Sequence, residues 1–386
     1  MDINDILIHL GEEREKYFNA VSPPIIQSSN FVFDSIEHFR SSIQNELANH
    51  LYTRGNNPTV EILRKKIAAL ENTEDALITG SGASAVAIAV MANLNQGDHA
   101  LIVNHPYSWT HKLFTQILNR FGVEYSFVDG TDLAKIKAGI KGNTKLLYLE
   151  SPNSVTFELQ DLRACAQIAR QNNIITLIDN SYASPLYQKP HDLGIDLVIH
   201  SGTKYINGHS DVVCGMICGT KEMIQKIFKY EYMTFGTIIS PNDAAMIIRG
   251  LRTLSIRMDR IRKTTDQVLE YLRSNSKVRK IYFPFEEDNP QLVLAKQQMS
   301  ACTGLFSIIL NVDTKEELLK FVGSLKRFLI AVSWGGHESL MMPFISFHDV
   351  PGMDDHFIDW RLIRFSIGLE DAEYLIDDFK NAFASI

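Results

Sequence analysis

Asp179 and Lys204 each stand at the end of an apolar run, and that placement restricts the chemistry open to them. Asp179 closes Ile174-Ile175-Thr176-Leu177-Ile178. Lys204 follows Asp196-Leu197-Val198-Ile199 by way of His200-Ser201-Gly202-Thr203. Apolar runs this short read as strands buried on both faces. In an open α/β sheet the strand ends gather along one crevice, where ligands bind. An acid, an amine and the hydroxyls of Ser201 and Thr203 would then meet at one edge. Pyridoxal 5'-phosphate (PLP) asks for that set: an amine for a Schiff base, an anion opposite the pyridine nitrogen, and donors for the phosphate.

Each role has a physical reason. A free lysine, with a pKa of about 10.4, is almost wholly ammonium at neutral pH. Engaging Lys204 in a Schiff base removes that obstacle, and exchange with substrate later frees the amine to move protons. Asp179 would keep the pyridine nitrogen protonated, so that the ring draws electrons from a carbanion. Ser201 and Thr203 would donate to the phosphate. A lone lysine after a strand is usually a solvated turn residue; the acid at the preceding strand end sets Lys204 apart.

Other residues extend the pattern. Gly80-Ser81-Gly82-Ala83-Ser84-Ala85 lies between an apolar run at 76–79 and a helical stretch of small and apolar residues reaching Leu94. Backbone N–H groups at such a helix start bind phosphate. A dinucleotide site begins in the same way, but wants an acid at the end of the second strand. Here that strand, 100–103, runs into Asn104-His105-Pro106, so an NAD-dependent dehydrogenase is a remote alternative. Tyr107 follows and, taken alone, reads as a core-edge tyrosine. Arg364 sits within Leu362-Ile363-Arg364-Phe365-Ser366-Ile367. A buried arginine needs a counter-charge, which a substrate carboxylate would supply; exposure on an edge strand is the bland alternative. Gly208-His209-Ser210-Asp211-Val212 begins like a nucleophile elbow but lacks the final glycine, which excludes a serine hydrolase.

The elements that must position these residues alternate. Strands are expected at 76–79, 100–103, 124–128, 145–149, 174–178 and 196–199, and helices at 59–70 and 161–171. Such alternation means a mostly parallel sheet covered on both faces. Near Ser240-Pro241-Asn242 the pattern changes to one long helix running to about Ser274, followed by strands near 305–310 and 364–367. Pro23-Pro24 precludes a helix interior there, and residues 1–50 read as an arm reaching a neighbouring subunit. The expected division is therefore 1–50 as arm, 51–243 as a large domain and 244–386 as a small one.

Composition narrows the class. A chain of 386 residues exceeds one simple core. Its 45% hydrophobic and 22% charged residues are those of an ordinary globular protein. A net charge of −7 argues against nucleic acid. The acidic start Met1-Asp2-Ile3-Asn4-Asp5 and the lack of a long apolar stretch argue against a signal peptide and a membrane span. Cys165, Cys214, Cys218 and Cys302 form no disulfide framework. Cys214 and Cys218 lack the His/Cys partners of a metal site and read as buried thiols. A cytoplasmic enzyme without metal is expected.

Ile178-Asp179-Asn180-Ser181-Tyr182-Ala183-Ser184-Pro185 and Ser201-Gly202-Thr203-Lys204-Tyr205, with Gly208-His209-Ser210-Asp211 beyond, resemble the signature of the PLP enzymes of cysteine and methionine metabolism. These include cystathionine β-lyase, cystathionine γ-lyase, cystathionine γ-synthase and methionine γ-lyase. The resemblance runs from about Pro23 to the C-terminus. It implies the aspartate-aminotransferase-like fold, fold type I: an α/β large domain with a mostly parallel central sheet, plus a smaller α+β C-terminal domain. It also places the Gly82 and Ala83 amides on the phosphate and Tyr107 on the cofactor ring. Tyr52 and Arg54 would reach the partner subunit's phosphate, Arg54 through its planar fork. Ser333, Trp334 and Arg364 would bind substrate, Arg364 by its α-carboxylate. The implied assembly is a homotetramer, a dimer of dimers with sites shared across the dimer interface.

Within that family the residues divide. Val332 stands where γ-active members usually carry Glu, and Ser333-Trp334-Gly335-Gly336 resembles the bacterial β-lyase. Ser154 replaces their usual Asn. Trp109 occupies the place of the cysteine associated with methionine γ-lyase. Asn57-Pro58-Thr59 looks instead like the γ-enzymes, and the β-lyase normally has Tyr at 332. The expectation is β-elimination of L-cystathionine to homocysteine, pyruvate and ammonia in transsulfuration and methionine biosynthesis, with cystine or cysteine as further substrates. The alternative is γ-elimination or γ-replacement, as in cystathionine γ-lyase, cystathionine γ-synthase or O-acetylhomoserine sulfhydrylase.

Overall fold

The structure, a computed structural model, describes residues 1–348, 350 and 358–386. Two compact units emerge. The larger comprises Met1–Ser151, Gln160–Asn207 and Asp211–Leu254; the smaller comprises Pro152–Leu159, Gly208–Ser210 and Ser255–Ile386.

The larger unit is built on a seven-stranded sheet. Its strands are β1 (Asp75–Thr79), β2 (His99–Val103), β3 (Glu124–Val128), β4 (Thr144–Glu150), β5 (Ile175–Asp179), β6 (Leu197–Ser201) and β7 (Gly215–Gly219). The order is β1-β7-β6-β5-β4-β2-β3. β7 runs antiparallel to both neighbours, and the other pairs are parallel. Because β2, β4, β5 and β6 run the same way, Val103, Glu150, Asp179 and Ser201 end along one edge. The middles of the central strands, 146–149, 177–178 and 197–199, are apolar and buried, as in a sheet covered on both faces.

Four helices matter before the first site residue of β2. They are α1 (Ile3–Ile8), α2 (Ile36–Gln44), α3 (Pro58–Leu70) and α4 (Gly82–Met91). Asn57 caps α3 by accepting from the Thr59 amide, with Pro58 in the first turn. Val60, Leu63, Ile67 and Leu70 face the core at helical spacing. In α4, Ser81 caps the Ser84 amide, and Ala85 and Ala89 are small enough to sit flat on the sheet.

The smaller unit carries a five-stranded sheet of β8 (Val278–Tyr282), β9 (Leu305–Leu310), β10 (Leu329–Ile330), β11 (Leu340–Pro343) and β12 (Leu362–Ser366), in the order β10-β11-β12-β9-β8. Helices Lys315–Ser324 and Ala372–Ala384 cover it through rings: Phe365 contacts Phe306, Phe328 and Phe379 at centroid distances of 5.6, 5.0 and 5.1 Å.

Three local expectations change. The long helix after Ser240 is two helices, Pro241–Leu251 and Leu254–Arg273. Thr253 breaks the run: its amide and hydroxyl both donate to the Gly250 carbonyl, at 3.2 and 3.1 Å. β7 was not foreseen from its glycines and cysteine. At Gly215 a Cβ would lie 2.0 Å from the Ser81 carbonyl oxygen, so no side chain fits. The first residues are not an extended arm. Lys66 Nζ on α3 donates to the carbonyls of Ile6 and Leu7 at 3.0 and 3.2 Å and pairs with Glu12 at 3.3 Å. Farther on, Phe18, Val21, Val32 and Ile36 are exposed. No described helix is long and apolar enough to cross a membrane.

Lys66 is wholly buried, and burial pulls its amine below the usual lysine range while Glu12 opposes that shift. Glu12→Ala removes the counter-charge and is expected to destabilise the chain by about 3 kcal/mol. A lower urea midpoint at unchanged slope is the measurement that checks it.

Candidate active site

The shared edge of β5 and β6 brings an acid, an amine and hydroxyls together. Asp179 ends β5, and its Oδ1 accepts the Ser181 amide at 2.9 Å. Burial pushes its carboxyl above the ordinary range; Ser181, His200 and Lys204 pull the other way. Ser181 Oγ accepts the Ser201 amide at 2.6 Å and so ties the two strand ends. Beyond Ser201 the chain turns tightly, the Lys204 amide donating to the Ser201 carbonyl at 3.1 Å. The turn packs closely at Gly202, where a Cβ would meet Met216 Cε at 2.8 Å and Cys214 Sγ at 3.1 Å. Lys204 emerges half-buried, and its charge pulls the Asp179 carboxyl down.

α4 starts beside Ser201. A Cβ on Gly82 would lie 3.0 Å from Ser201 Cβ and 3.1 Å from its Oγ. The glycine lets the first helical turn approach that hydroxyl, and a first turn leaves N–H groups without intrahelical acceptors. The first turn of α4 at Gly82 and Ala83 thus stands beside the Ser201 hydroxyl. Thr203 is placed differently from the expectation. Its hydroxyl donates to the Cys214 carbonyl at 3.3 Å and accepts the Cys214 amide at 2.9 Å. It braces the β6–β7 connection.

Tyr107 follows β2 and precedes the short helix α5 (Ser108–Lys112). Its amide donates to Glu150 Oε2 at 2.7 Å, so the end of β4 fixes the loop after β2. The ring is 41% exposed, leaving a face for a planar ligand. Burial first, then the charges of Asp179 and Glu150, push its phenol up. Tyr52 and Arg54 are both exposed and pair with each other, the guanidinium carbon 5.2 Å from the ring centroid.

The smaller unit holds the other three residues. β12 is an interior strand, which removes the edge-strand reading of Arg364. Arg364 is 5% exposed, and its guanidinium donates to the Ser154 and Val332 carbonyls at 3.1 and 2.7 Å. Trp334 is buried and Ser333 half-buried. Glu370 staples their loop: it accepts the Ser339 amide at 2.9 Å and the Ser339 hydroxyl at 2.8 Å.

These residues fit PLP on two observations. The Gly82–Ser201 approach is a cradle that a Cβ would fill. Asp179 is a desolvated carboxylate, and a protonated pyridine nitrogen is the partner its chemistry calls for.

The sequence pattern of the Cys/Met metabolism PLP-dependent enzymes matches residues 4–384. The chain belongs to that family. It is 37% identical to an L-methionine gamma-lyase of Fusobacterium nucleatum subsp. polymorphum, over 98% of this chain and 97% of that one. It is 33% identical to cystathionine beta-lyase MetC of Bacillus subtilis, over 98% and 96%. The crystal structure of metB from Corynebacterium glutamicum superposes with a TM-score of 0.92 at 33% identity, covering 100% of this chain and 98% of that one. PLP is the cofactor, the fold is type I, and the activity class is that of a PLP-dependent carbon–sulfur lyase. The dinucleotide alternative is thereby overturned.

Sequence reasoning did not single out Glu150, Ser181 or Glu370. Only the hydrogen bonds give the three their work.

A raised carboxyl pKa means that Asp179 costs the cofactor-free fold stability as pH rises through the window between its unfolded and folded values. Asp179→Asn is therefore expected to raise the melting temperature of the apoprotein at neutral pH. The gain should vanish in acid, where the native carboxyl is protonated in both states. Scanning calorimetry of both apoproteins across that range checks it.

Proposed function

We propose that the chain catalyses β-elimination of L-cystathionine. With water, the products are homocysteine, pyruvate and ammonia. The observation that carries this reading is Val332. Its carbonyl accepts from Arg364 at 2.7 Å, while its side chain is exposed. The residue type at 332 is thus set next to the arginine assigned to the substrate α-carboxylate. γ-Elimination must move a proton at Cβ as well as at Cα. A valine offers no proton acceptor there, whereas the Glu of γ-active members adds a carboxylate.

PLP, when bound, supplies an aldehyde that condenses with amines and a ring that withdraws electrons from the substrate Cα. Lys204 is the amine that holds it and, once released, the base at Cα. Tyr107 shares the proton transfers; its raised phenol pKa keeps it a proton donor to the leaving sulfur at neutral pH. Asp179 holds the ring nitrogen. Gly82, Ala83 and Ser201 hold the phosphate, with Thr203 positioning their turn. Arg364 and Ser333 orient the carboxylate, and Trp334 shapes the pocket. Arg54 and Tyr52 complete the phosphate site of a partner subunit in a homotetramer. Exposed Phe18, Val21, Val32 and Ile36 give that assembly apolar surface to cover. Four free, buried cysteines suit a cytoplasmic enzyme.

A second reading is γ-elimination from methionine or cystathionine, favoured by the 37% identity to a methionine gamma-lyase. Incubating the PLP-loaded enzyme with L-cystathionine and identifying the keto acid separates the two. Pyruvate with homocysteine supports β-elimination; 2-oxobutyrate with cysteine overturns it. Lys204→Ala is expected to reduce turnover to background and to hold PLP poorly, as read by dialysis. Arg364→Ala should raise KM by about 100-fold, the scale of a lost charge-assisted hydrogen bond; a KM near that of the unaltered enzyme would remove Arg364 from the substrate site.

A further inference from the structure

The loop that carries Ser333 and Trp334 is held from two sides within the smaller unit. One side is the end of β12. The Gly335 amide donates to Ser366 Oγ at 3.2 Å, and the Gly368 and Leu369 amides donate to Ser339 Oγ and the His337 carbonyl at 2.9 and 2.8 Å. The other side is Ser210. Its Oγ lies 2.7 and 2.9 Å from the two carboxylate oxygens of Glu338, so one hydroxyl proton is shared between them. Glu338 Oε2 also meets His337 Nδ1 at 3.1 Å. Gly336 leaves room for this approach: a Cβ there would lie 2.1 Å from Ser210 Oγ and 2.6 Å from Glu338 Oε2.

Ser210 holds that position at a conformational cost. Its φ is 57°, in the left-handed region that residues other than glycine seldom enter. Glycine would adopt the same angle more readily, so the backbone alone does not call for a serine. Strain of this kind persists where the surroundings over-determine it. Arg257, 5% exposed, packs against the start of the corner at Gly208, where a Cβ would lie 1.8 Å from Nη1. The hydroxyl–carboxylate contact secures the other end. A hydrogen bond made by a group as open to water as Ser210 adds little net stability. Its contribution lies instead in what Glu338 carries. The same loop begins after Val332, whose carbonyl accepts from Arg364 at 2.7 Å.

We infer that Ser210 is a positioning residue for the substrate α-carboxylate: through Glu338 it sets the loop that presents Ser333 and Trp334 next to Arg364. This rests on the reading of Arg364 and Ser333 as the carboxylate site, and on no choice between β- and γ-elimination. In this role Ser210 and Glu338 touch no reacting atom, so their effect belongs to binding rather than to proton transfer.

The test uses the PLP-loaded, full-length enzyme and glycine, an amino acid with an α-carboxylate and no leaving group. Its dissociation constant is read from the change in the cofactor's visible absorption. Ser210→Gly accepts the same backbone angle and removes the hydroxyl. The expected result is a glycine dissociation constant raised about tenfold, the scale of one net hydrogen bond. The melting temperature should change little, since relief of the left-handed angle offsets the freer unfolded chain. Wild-type affinity in S210G would overturn the inference, and so would weaker binding that comes with a much lower melting temperature. With L-cystathionine, KM should rise while kcat stays near that of the unaltered enzyme; a fall in kcat alone also overturns it. E338A and the double variant S210G/E338A complete a cycle: losses that fail to add support action through Glu338, and additive losses overturn it. R364A separates the two layers. Wild-type glycine binding in R364A refutes the carboxylate site and the inference with it, whereas a loss in R364A alone refutes only the role of Ser210.

Discussion

A carboxylate at the end of β5, removed from water, is costly unless cations and donors meet it. Asp179 is that carboxylate, and much of the larger unit answers its demand. Ser181 donates to it and, by accepting the Ser201 amide, fixes the distance between two strand ends. The turn after Ser201 returns Lys204 toward it. Burial raises its carboxyl above the usual range, so the fold carries an electrostatic cost that a cation set beside it would offset.

The rest of the edge is held from the side. Glu150, at the end of β4, is in register with Asp179 and grips the backbone of Tyr107. One carboxylate therefore faces the chemistry and its neighbour secures a loop. The parallel strands give the same edge to Tyr107, Glu150, Asp179 and Ser201, and that shared direction is what turns distant residues into one site. In the smaller unit, an arginine on an interior strand is tied to two carbonyls of its own unit, which sets the direction of its fork.

Much of this was readable from sequence where the signal was a run of like residues. The six apolar runs from 76 to 199 became β1 to β6 because burial on both faces demands unbroken hydrophobicity. Asp179 and Lys204 stood out because they interrupt such runs. β7 did not, since Gly215, Cys218 and Gly219 carry no strand propensity; its glycine is needed for a backbone contact that only the fold reveals. The helix break at Thr253 was hidden because Leu251 and Leu254 keep the apolar spacing across it. Thr203 looked like a phosphate donor, yet its hydroxyl is taken by Cys214. Glu71 reads in sequence like any solvated glutamate at a helix end; its burial depends on His200, far along the chain.

The order of the sheet has a consequence for how the protein is made. β1 pairs with β7 along its whole length, with a single bridge from Thr79 to Ile238, and β7 pairs with β6, so the strand that precedes the Gly82 turn is secured by the last strand of its sheet in the sequence. Pairings so remote in sequence close late, because loop entropy must be met first. Gly82 and Ser201 therefore come together only after β7 has slotted between β1 and β6. Until then the chain has strands but no cradle, and β1 has an unpaired flank open to wrong partners. The turn at Gly82 and the end of β6 thus depend on a pairing that spans most of the larger unit's sequence.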